Sequence, residues 1–357
     1  MSLYLFSAAL PLYLFRFRGY SLGQVGVLVG LASVVQIISA LAAGPLVDRR
    51  GARLAMRLGA ACYVVAALLF LTSAWLPAIV LARVLHGIGI ALVLPAVFSV
   101  VPALVIGRFQ GTALGAAGAV NNVALAVSPP LGLLLLARSP AALFLTALAA
   151  GGLAIAASLL LTVGRPHPEP GRLFNYRPAW TPFYAITFLC VVYWGVITAF
   201  LPIEVPPDQV PNVGWFFAAD ALAVMAARIP TGYMADRFGA RWLLVAGVAT
   251  TGLAIGTLLI SPSLATLLIA GVGTGLGAAL LLPPILLALT RRSDEHDRGT
   301  AMALYNTSFA AAVGAGSLGG AVLVQRFGFQ ATLVASLIAC LAAAPIALAT
   351  VRRLEDR

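Results

Sequence analysis

Three charged side chains lie inside long apolar stretches of this chain, where an ionisable group is costly and usually has a function. They are Arg83, Asp220 and Arg228. His86 follows Arg83 by one helical turn and is of a residue type that changes charge near neutral pH. A carboxylate in apolar surroundings disfavours its ionised form, as the uptake and release of a proton requires. Arg83, His86, Asp220 and Arg228 are therefore the candidates for proton coupling.

Each of these residues also has a structural interpretation. Asp220 can form an ion pair with Arg228, two helical turns away, or with Arg83. Arg83 lies only about five residues from the end of its apolar stretch, so its side chain can extend outward to the membrane surface. His86 can be a buried histidine whose polar atoms are satisfied by its neighbours. The sequence leaves these alternatives open.

Motifs for enzyme catalysis are missing from the sequence. It contains neither G-x-S-x-G nor H-E-x-x-H, and it has no lysine to complete the phosphate-binding motif G-x-x-x-x-G-K-[ST]. The pattern G-x-G-x-x-G occurs at 314–319, but a dinucleotide site needs a preceding strand, and this segment is a long apolar stretch. We therefore expect no enzyme activity, no cofactor and no metal site.

The composition excludes an ordinary soluble protein. Only 9% of the 357 residues are charged, against about 25% in soluble domains, and the mean hydropathy is +1.02. The net charge is +11, and all 22 basic residues are arginines. They are scattered in short loops between apolar stretches and form no basic face, so nucleic-acid binding is not expected. The lipid bilayer is the expected surrounding.

Apolar stretches of about 20 residues predict twelve membrane-spanning helices and no strands. The predicted spans are 1–15, 22–47, 58–75, 78–103, 113–137, 141–163, 183–204, 213–235, 242–260, 264–290, 300–324 and 329–350. The first would cover only about 22 Å of a hydrocarbon core of about 30 Å. We expect either an unusually short first helix or residues upstream of Met1.

The positions of the arginines predict the orientation in the membrane. With the N-terminus in the cytoplasm, sixteen arginines fall in cytoplasmic loops and four in outer loops. Short cytoplasmic loops are enriched in arginine and lysine. We therefore expect an inner-membrane protein with both termini in the cytoplasm.

The chain repeats itself at a constant offset of 188 residues. The segment 44–53, G-P-L-V-D-R-R-G-A-R, corresponds to 232–241, G-Y-M-A-D-R-F-G-A-R. Gly87 and Gly132 correspond in the same way to Gly275 and Gly320. Since 188 residues cover six spans, the two halves have the same orientation. We expect an N-terminal six-helix bundle at 1–163, a proline-rich cytoplasmic linker at 164–182 and a C-terminal bundle at 183–357.

The two copies of G-x-x-x-D-R-x-G-x-R resemble the signature loop of the major facilitator superfamily. The resemblance implies an all-α polytopic fold with twelve transmembrane helices in two parallel six-helix bundles, and transport by alternating access. It also implies that the loops stabilise the outward-open state. The gating candidates are Gly44, Asp48, Arg49, Gly51, Arg53, Gly232, Asp236, Arg237, Gly239 and Arg241. The alternative is a basic turn that only sets the topology.

The residue types suggest separate tasks within each signature loop. Gly44 and Gly232 lack a side chain where a helix end is expected to approach a neighbour closely. Gly51 and Gly239 permit a tight reversal into the next helix. The aspartates can pair with the neighbouring arginines.

Two further segments resemble superfamily motifs. Arg83 and Gly87 match R-x-x-x-G, which is associated with proton coupling. The segment 124–132, A-L-A-V-S-P-P-L-G, resembles the antiporter motif G-x-x-x-G-P-x-x-G, although Ala124 and Ser128 replace two of its glycines. Prolines inside a helix bend it, and small residues permit close packing. The helix-bending candidates are Ser128, Pro129, Pro130 and Gly132.

The remaining polar and aromatic residues inside spans are candidates for a substrate cavity. They are Asn121, Asn122, Tyr193, Trp194, Tyr305 and Asn306. Aromatic rings with a few amides suit an amphipathic organic compound. The sequence thus predicts a monomeric secondary transporter that exports a small amphipathic molecule against a proton gradient. The alternatives are proton-coupled import of a metabolite and, from another class, a polytopic membrane enzyme.

Overall fold

A computed structural model describes residues 2–103, 110–160, 176–238, 241–260, 262–293 and 298–355. All regular elements within these ranges are helices. We number the α-helices α1 Ser2–Leu12, α2 Leu22–Arg50, α3 Ala52–Thr72, α4 Leu76–Ala103, α5 Gln110–Arg138, α6 Pro140–Leu160, α7 Thr181–Glu204, α8 Gly214–Phe238, α9 Arg241–Thr257 and α10 Leu264–Arg291. The stretch Arg298–Glu355 breaks at Gly328 and is divided here into α11 (298–327) and α12 (329–355).

The twelve-helix, all-α architecture predicted from the sequence is confirmed in the described residues. Eight helices are long and apolar enough to cross a membrane, and the one at Thr300–Thr350 is long enough for two crossings. Two more apolar helices are shorter, Tyr4–Phe17 and Trp242–Thr257. A π-helical turn at Tyr13–Phe17 extends α1.

Two glycines with positive φ end helices where the chain reverses within a single residue. Gly51 has a φ of +90° and separates α2 from α3, and Gly328 has a φ of +83° between α11 and α12. Other residue types rarely adopt this conformation because a Cβ atom would clash with the backbone. Each of these two connections is therefore a single residue long.

The contacts divide the chain into two compact units, Met1–Pro170 (unit 1) and Gly171–Arg357 (unit 2). In unit 1, α4 packs against α2 and α3, α3 packs against α6, and α1 packs against α5. A buried aromatic cluster of Phe6, Phe70 and Phe144 joins α1, α3 and α6. Most of the predicted linker lies outside the described residues, which resume at 176.

Unit 2 contains the same helix pairs as unit 1. Helix α10 packs against α8 and α9, and α7 packs against α11. The α7–α11 crossing is tight: a Cβ on Gly195 would lie 2.1 Å from the backbone oxygen of Val313, and one on Gly316 would lie 2.0 Å from that of Val192. Backbones this close require glycine, as in many membrane helix pairs. The internal repeat of the sequence is therefore also a repeat of the helix pairs that pack together.

Candidate functional site

Helices α2 and α4 of unit 1 touch through Gly87. A Cβ added there would lie 2.5 Å from the backbone oxygen of Ala32 and 2.9 Å from the Cβ of Val35. Only a residue without a side chain permits this approach. The two backbones are consequently close enough for a side chain of α4 to reach the carbonyl groups of α2.

Arg83, one turn before Gly87, lies in this contact. Its side chain is 6% exposed, and it donates hydrogen bonds of 2.7 Å to the backbone oxygens of both Leu28 and Val29. A carbonyl oxygen has two lone pairs, so each can accept this bond beside its helical one. The interpretation of Arg83 as an interfacial residue extending outward is therefore wrong. Close packing turns the guanidinium inward, where it links two helices.

His86 is the third partner of Arg83. The guanidinium lies 2.9 Å from Nδ1 of His86, and an arginine can only donate, so Nδ1 is the acceptor. The imidazole is buried, with the rings of Phe6 and Tyr63 edge-on to it at 5.4 and 5.6 Å. Arg83 and His86 thus form one buried cationic group within unit 1.

Helices α8 and α10 of unit 2 form the corresponding contact. A Cβ on Gly275 would lie 2.2 Å from the backbone oxygen of Asp220 and 2.8 Å from the Cβ of Ala223. The carboxyl group of Asp220 is buried, at 5% exposure, and accepts a 2.7 Å hydrogen bond from the hydroxyl of Thr274. Asp220 therefore bridges α8 and α10 through an uncharged partner.

The partner of Asp220 differs from the ion pair considered from the sequence. Its hydrogen bond goes to Thr274, whereas Arg228 lies on the exposed side of α8 and acts electrostatically on the phenol of Tyr305 in α11. Arg83 belongs to the other unit and is bonded to Leu28, Val29 and His86. Within the described residues, Asp220 is thus a buried carboxyl group without an arginine partner.

Tyr193 is an aromatic neighbour of the Asp220–Thr274 pair. The phenol of Tyr193 in α7 lies within hydrogen-bonding reach of Thr274 and electrostatic reach of Asp220. Trp194 packs against Phe216 and Phe217, with ring centroids 6.5 and 5.7 Å away. Asp220 is buried and has few polar partners, and burial disfavours the ionised form of a carboxyl group.

The cavity candidates of α5 and α11 have other contacts. In unit 1, Asn121 of α5 accepts a 3.1 Å hydrogen bond from the hydroxyl of Tyr4, and Asn122 is buried. In unit 2, Tyr305 is buried, whereas Asn306 is exposed and donates to the backbone of Met302 in its own helix. Tyr193 is therefore the cavity candidate that the structure brings to Asp220.

The proline segment of α5 is helical throughout. Ser128, Pro129 and Pro130 are buried within the continuous helix Gln110–Arg138. A Cβ on Gly132 would lie 2.6 Å from the backbone oxygen of Leu5, so α1 and α5 approach closely here. This segment contributes a packing surface, and its role in bending the helix remains a prediction.

The structure describes the signature loops only in part. Gly51 has the positive φ reported above, and Arg53 is partly buried at the start of α3. A Cβ on Gly232 would meet no atom of the described residues within 4 Å, and the close approach expected there stays a prediction. The described part does not include the surroundings of Gly44 or any of residue 239. It also excludes the side chains of Asp48, Arg49, Asp236, Arg237 and Arg241.

The two buried charged groups occupy repeat-related contacts. At the offset of 188 residues, Gly87 corresponds to Gly275, Ala32 to Asp220 and His86 to Thr274. His86 in α4 binds Arg83, and Thr274 in α10 binds Asp220. These two binding residues therefore occupy equivalent positions of the repeat. Sequence analysis missed Thr274, although applying the offset to His86 would have pointed to it.

The comparisons with known proteins agree with this arrangement. The sequence model of the Major Facilitator Superfamily matches residues 1–207 and 184–357. The chain belongs to this superfamily. Its two matches cover both units, as expected for a superfamily member built from two repeated halves.

Two related sequences illustrate the range of similarity. An uncharacterized MFS-type transporter of Salmonella typhimurium is 27% identical over 358 aligned residues, covering 94% of this chain and 90% of that protein. The tetracenomycin C resistance and export protein of Streptomyces glaucescens is 32% identical over 123 residues, covering 34% of this chain and 22% of that protein. The second similarity is thus confined to a part of each chain.

Solved structures of transporters share the fold. A POT family transporter in complex with 5-aminolevulinic acid superposes with a TM-score of 0.83 at 14% identity, covering 97% of this chain and 92% of the other. A nucleoside transporter superposes with a TM-score of 0.78 at 10% identity, covering 98% and 96%. Family and fold together identify a multi-pass membrane protein and secondary transporter, and the expectation that it is not an enzyme is confirmed.

Proposed function

We propose that this protein is a proton-coupled exporter of small amphipathic organic molecules, with Asp220 as its proton carrier. The observation that carries the proposal is the buried carboxyl group of Asp220, bonded to the neutral hydroxyl of Thr274. A carboxyl group without an arginine partner can gain and lose a proton without breaking an ion pair. Thr274 can act as donor to the ionised form and as acceptor from the protonated form.

The position of Asp220 connects its protonation to helix packing. Its own backbone oxygen touches α10 at Gly275, next to the residue that binds its side chain. A change in this hydrogen bond therefore acts on the α8–α10 contact. We infer that protonation changes the packing of α8 and that this change is coupled to alternating access within an inner membrane, with both termini in the cytoplasm.

The direction of transport rests on weaker support. The partial antiporter motif at 124–132 and the partial similarity to the tetracenomycin C resistance and export protein both favour export. The 3-(3-hydroxy-phenyl)propionate transporter of Escherichia coli is 30% identical over 26% of this chain and 23% of that protein, and its name states no direction. Import by symport is therefore the second candidate.

Asp220→Asn tests the proton carrier without knowledge of the substrate. Infrared difference spectra of the reconstituted protein between acidic and alkaline pH should show a carboxylic-acid band that Asp220→Asn removes. Thr274→Val keeps the carboxyl group but removes its hydrogen-bond partner, so it should shift the band, whereas Thr274→Ser should restore the original frequency. A band that persists in Asp220→Asn and ignores both Thr274 variants would refute the assignment.

Transport supplies the second arm of this test. Proteoliposomes are loaded with the fluorescent amphipathic cation ethidium, and a pH gradient is imposed. If the protein is an antiporter, the wild type should deplete the loaded ethidium when the compartment that receives it is acidic. Asp220→Asn should lose this dependence on the gradient. Accumulation from the acidic side would instead support symport. Gradient-driven flux that is the same in wild type and Asp220→Asn would contradict a carrier role.

A further inference from the structure

A cavity of about 350 Å³ lies within unit 2, at the end where α7 stops. The last turn of α7, the α9–α10 connection and the break between α11 and α12 surround it. Its volume lies in the range of small-molecule sites. Glu204, on its wall, is 11 residues from Tyr193, or about 16 Å along α7, so the cavity is separate from the Asp220 cluster.

Glu204 is the only charged side chain that lines this cavity, as far as the described residues show. It is half-buried at the C-terminal end of α7, and within the described part of the chain it forms no hydrogen bond or ion pair. The C-terminal end of a helix carries partial negative charge, which does not compensate a carboxylate. Glu204 therefore places an uncompensated negative charge in the cavity wall.

The other polar side chains of the wall, those of Thr266 and Gln330, are uncharged and do not neutralise Glu204. The hydroxyl of Thr266 accepts from the backbone N–H of Ser263 and donates to its carbonyl oxygen, at 2.8 and 3.0 Å, so it is occupied in capping α10. Arg326, two residues before the α11–α12 break, is exposed and is not part of the wall. A ligand with its own positive charge is the complement that this wall lacks.

Apolar and aromatic side chains line the wall together with polar groups of comparable area. Gly328, with its positive φ, breaks the helix and places Phe327 and Phe329 on the cavity wall at either side of it. Leu201 and Leu258 line the wall from α7 and from the end of α9. Aromatic rings attract organic cations through their faces, and apolar side chains bind the hydrocarbon portion of an amphipathic molecule.

We propose that this cavity is a second binding site, which takes a small amphipathic organic cation with its ammonium group against the carboxylate of Glu204. The hydrocarbon part lies on Phe327, Phe329 and Leu258. The site is additional to the proton carrier at Asp220 and does not depend on the direction of transport. It offers a cationic molecule a place at one end of unit 2, away from the α8–α10 contact.

Benzyltrimethylammonium is a suitable probe because its charge does not titrate. Binding is measured by calorimetry on the full-length protein in nanodiscs of zwitterionic lipid. Glu204→Gln, which keeps the size of the side chain, should weaken binding at least about fivefold, as expected for loss of one partly buried charge contact. Benzylsulfonate, with the same benzyl group and the opposite charge, should bind the wild type more weakly than the cation does.

Asp208→Asn is the matched control, since Asp208 is an exposed acid in the connection after α7 that does not line the cavity. It should leave binding within about twofold of wild type, because exposed charges are screened. Leu258→Trp, which keeps Glu204 but reduces the volume, should also weaken binding and separates the cavity from a charge effect alone. Equal losses in Asp208→Asn and Glu204→Gln would overturn the proposal.

The Asp220→Asn variant keeps this proposal distinct from the proposed function. It should bind the probe like the wild type, because Tyr193, the α7 residue that interacts with Asp220, is about 16 Å along α7 from Glu204. If Asp220→Asn abolishes binding and Glu204→Gln does not, the cavity proposal is wrong while Asp220 remains a candidate carrier. If binding fails only in Glu204→Gln and proton-coupled flux is absent in every variant, the proposed function is wrong and the cavity stands.

Discussion

Gly275→Ala should disrupt both the packing of unit 2 and its buried carboxyl group. The added Cβ would lie 2.2 Å from the backbone oxygen of Asp220, whereas ordinary van der Waals contacts begin at 3.4 Å. Neither atom belongs to a flexible side chain, so α8 and α10 must separate by about 1 Å at this point. Thr274 precedes Gly275, and its bond to Asp220 is 2.7 Å, so the same separation stretches it to about 3.7 Å.

The cost follows from two terms. Overpacking of this kind costs about 1–3 kcal/mol, and a hydrogen bond between membrane helices contributes about 0.6–1.7 kcal/mol. Together they predict a loss of about 2–5 kcal/mol of unfolding free energy. We expect the thermal midpoint of the purified full-length protein to fall by several degrees, and the carboxylic-acid band of Asp220 to shift as it does in Thr274→Val.

Gly319→Ala is the control in the same unit. Gly319 lies inside α11, and a Cβ there would meet no atom of the described residues within 4 Å. Alanine is the better helix former by up to about 1 kcal/mol, so this variant should be neutral or slightly stabilised. The reasoning fails if Gly275→Ala and Gly319→Ala have the same midpoint, or if Gly275→Ala melts earlier but leaves the carboxyl band unchanged.

Two other substitutions test the remaining charged groups. Arg83→Met removes both bonds from α4 to the carbonyls of α2 but leaves those carbonyls in their helical bonds, so thermal unfolding should show a loss of about 1–3 kcal/mol. A loss below about 0.5 kcal/mol would show that desolvation of the guanidinium cancels its bonds. Asp48→Asn should shift the conformational balance away from outward-open in a cysteine-accessibility assay, and unchanged labelling would favour a loop that only sets topology.

Helix positions could be predicted from the sequence because lipid requires long apolar segments. The span predicted at 22–47 is α2, Leu22–Arg50, and the one at 264–290 is α10, Leu264–Arg291. Charged and polar side chains extend most of the helices beyond the apolar segment, which explains differences of a few residues. The predicted boundary after 324 corresponds to a break at the single residue Gly328, because a glycine with positive φ needs no loop.

Side-chain partners could not be predicted in the same way. An amphipathic helix shows which face is buried, but these helices are apolar on all sides, so the sequence does not show their rotation. Arg83 lies near the end of its predicted span, yet the glycine one turn later lets α4 approach α2 and buries the guanidinium. Asp220 and Arg228 are on one helix but eight residues apart. The carboxyl group of Asp220 is instead bonded to the neutral hydroxyl of Thr274 in α10.

Equivalent helix contacts in the two units, α2–α4 and α8–α10, contain side chains of opposite charge. Gly87 and Gly275 bring equivalent helices together, and His86 and Thr274 bind the charged group from equivalent positions. In unit 1 that group is a guanidinium, which stays charged at every physiological pH, so its own charge state does not alter its bonds to α2. In unit 2 it is a carboxyl group, whose hydrogen bond changes when a proton binds. The same scaffold thus occurs twice, and we propose that protonation of Asp220 switches the α8–α10 contact.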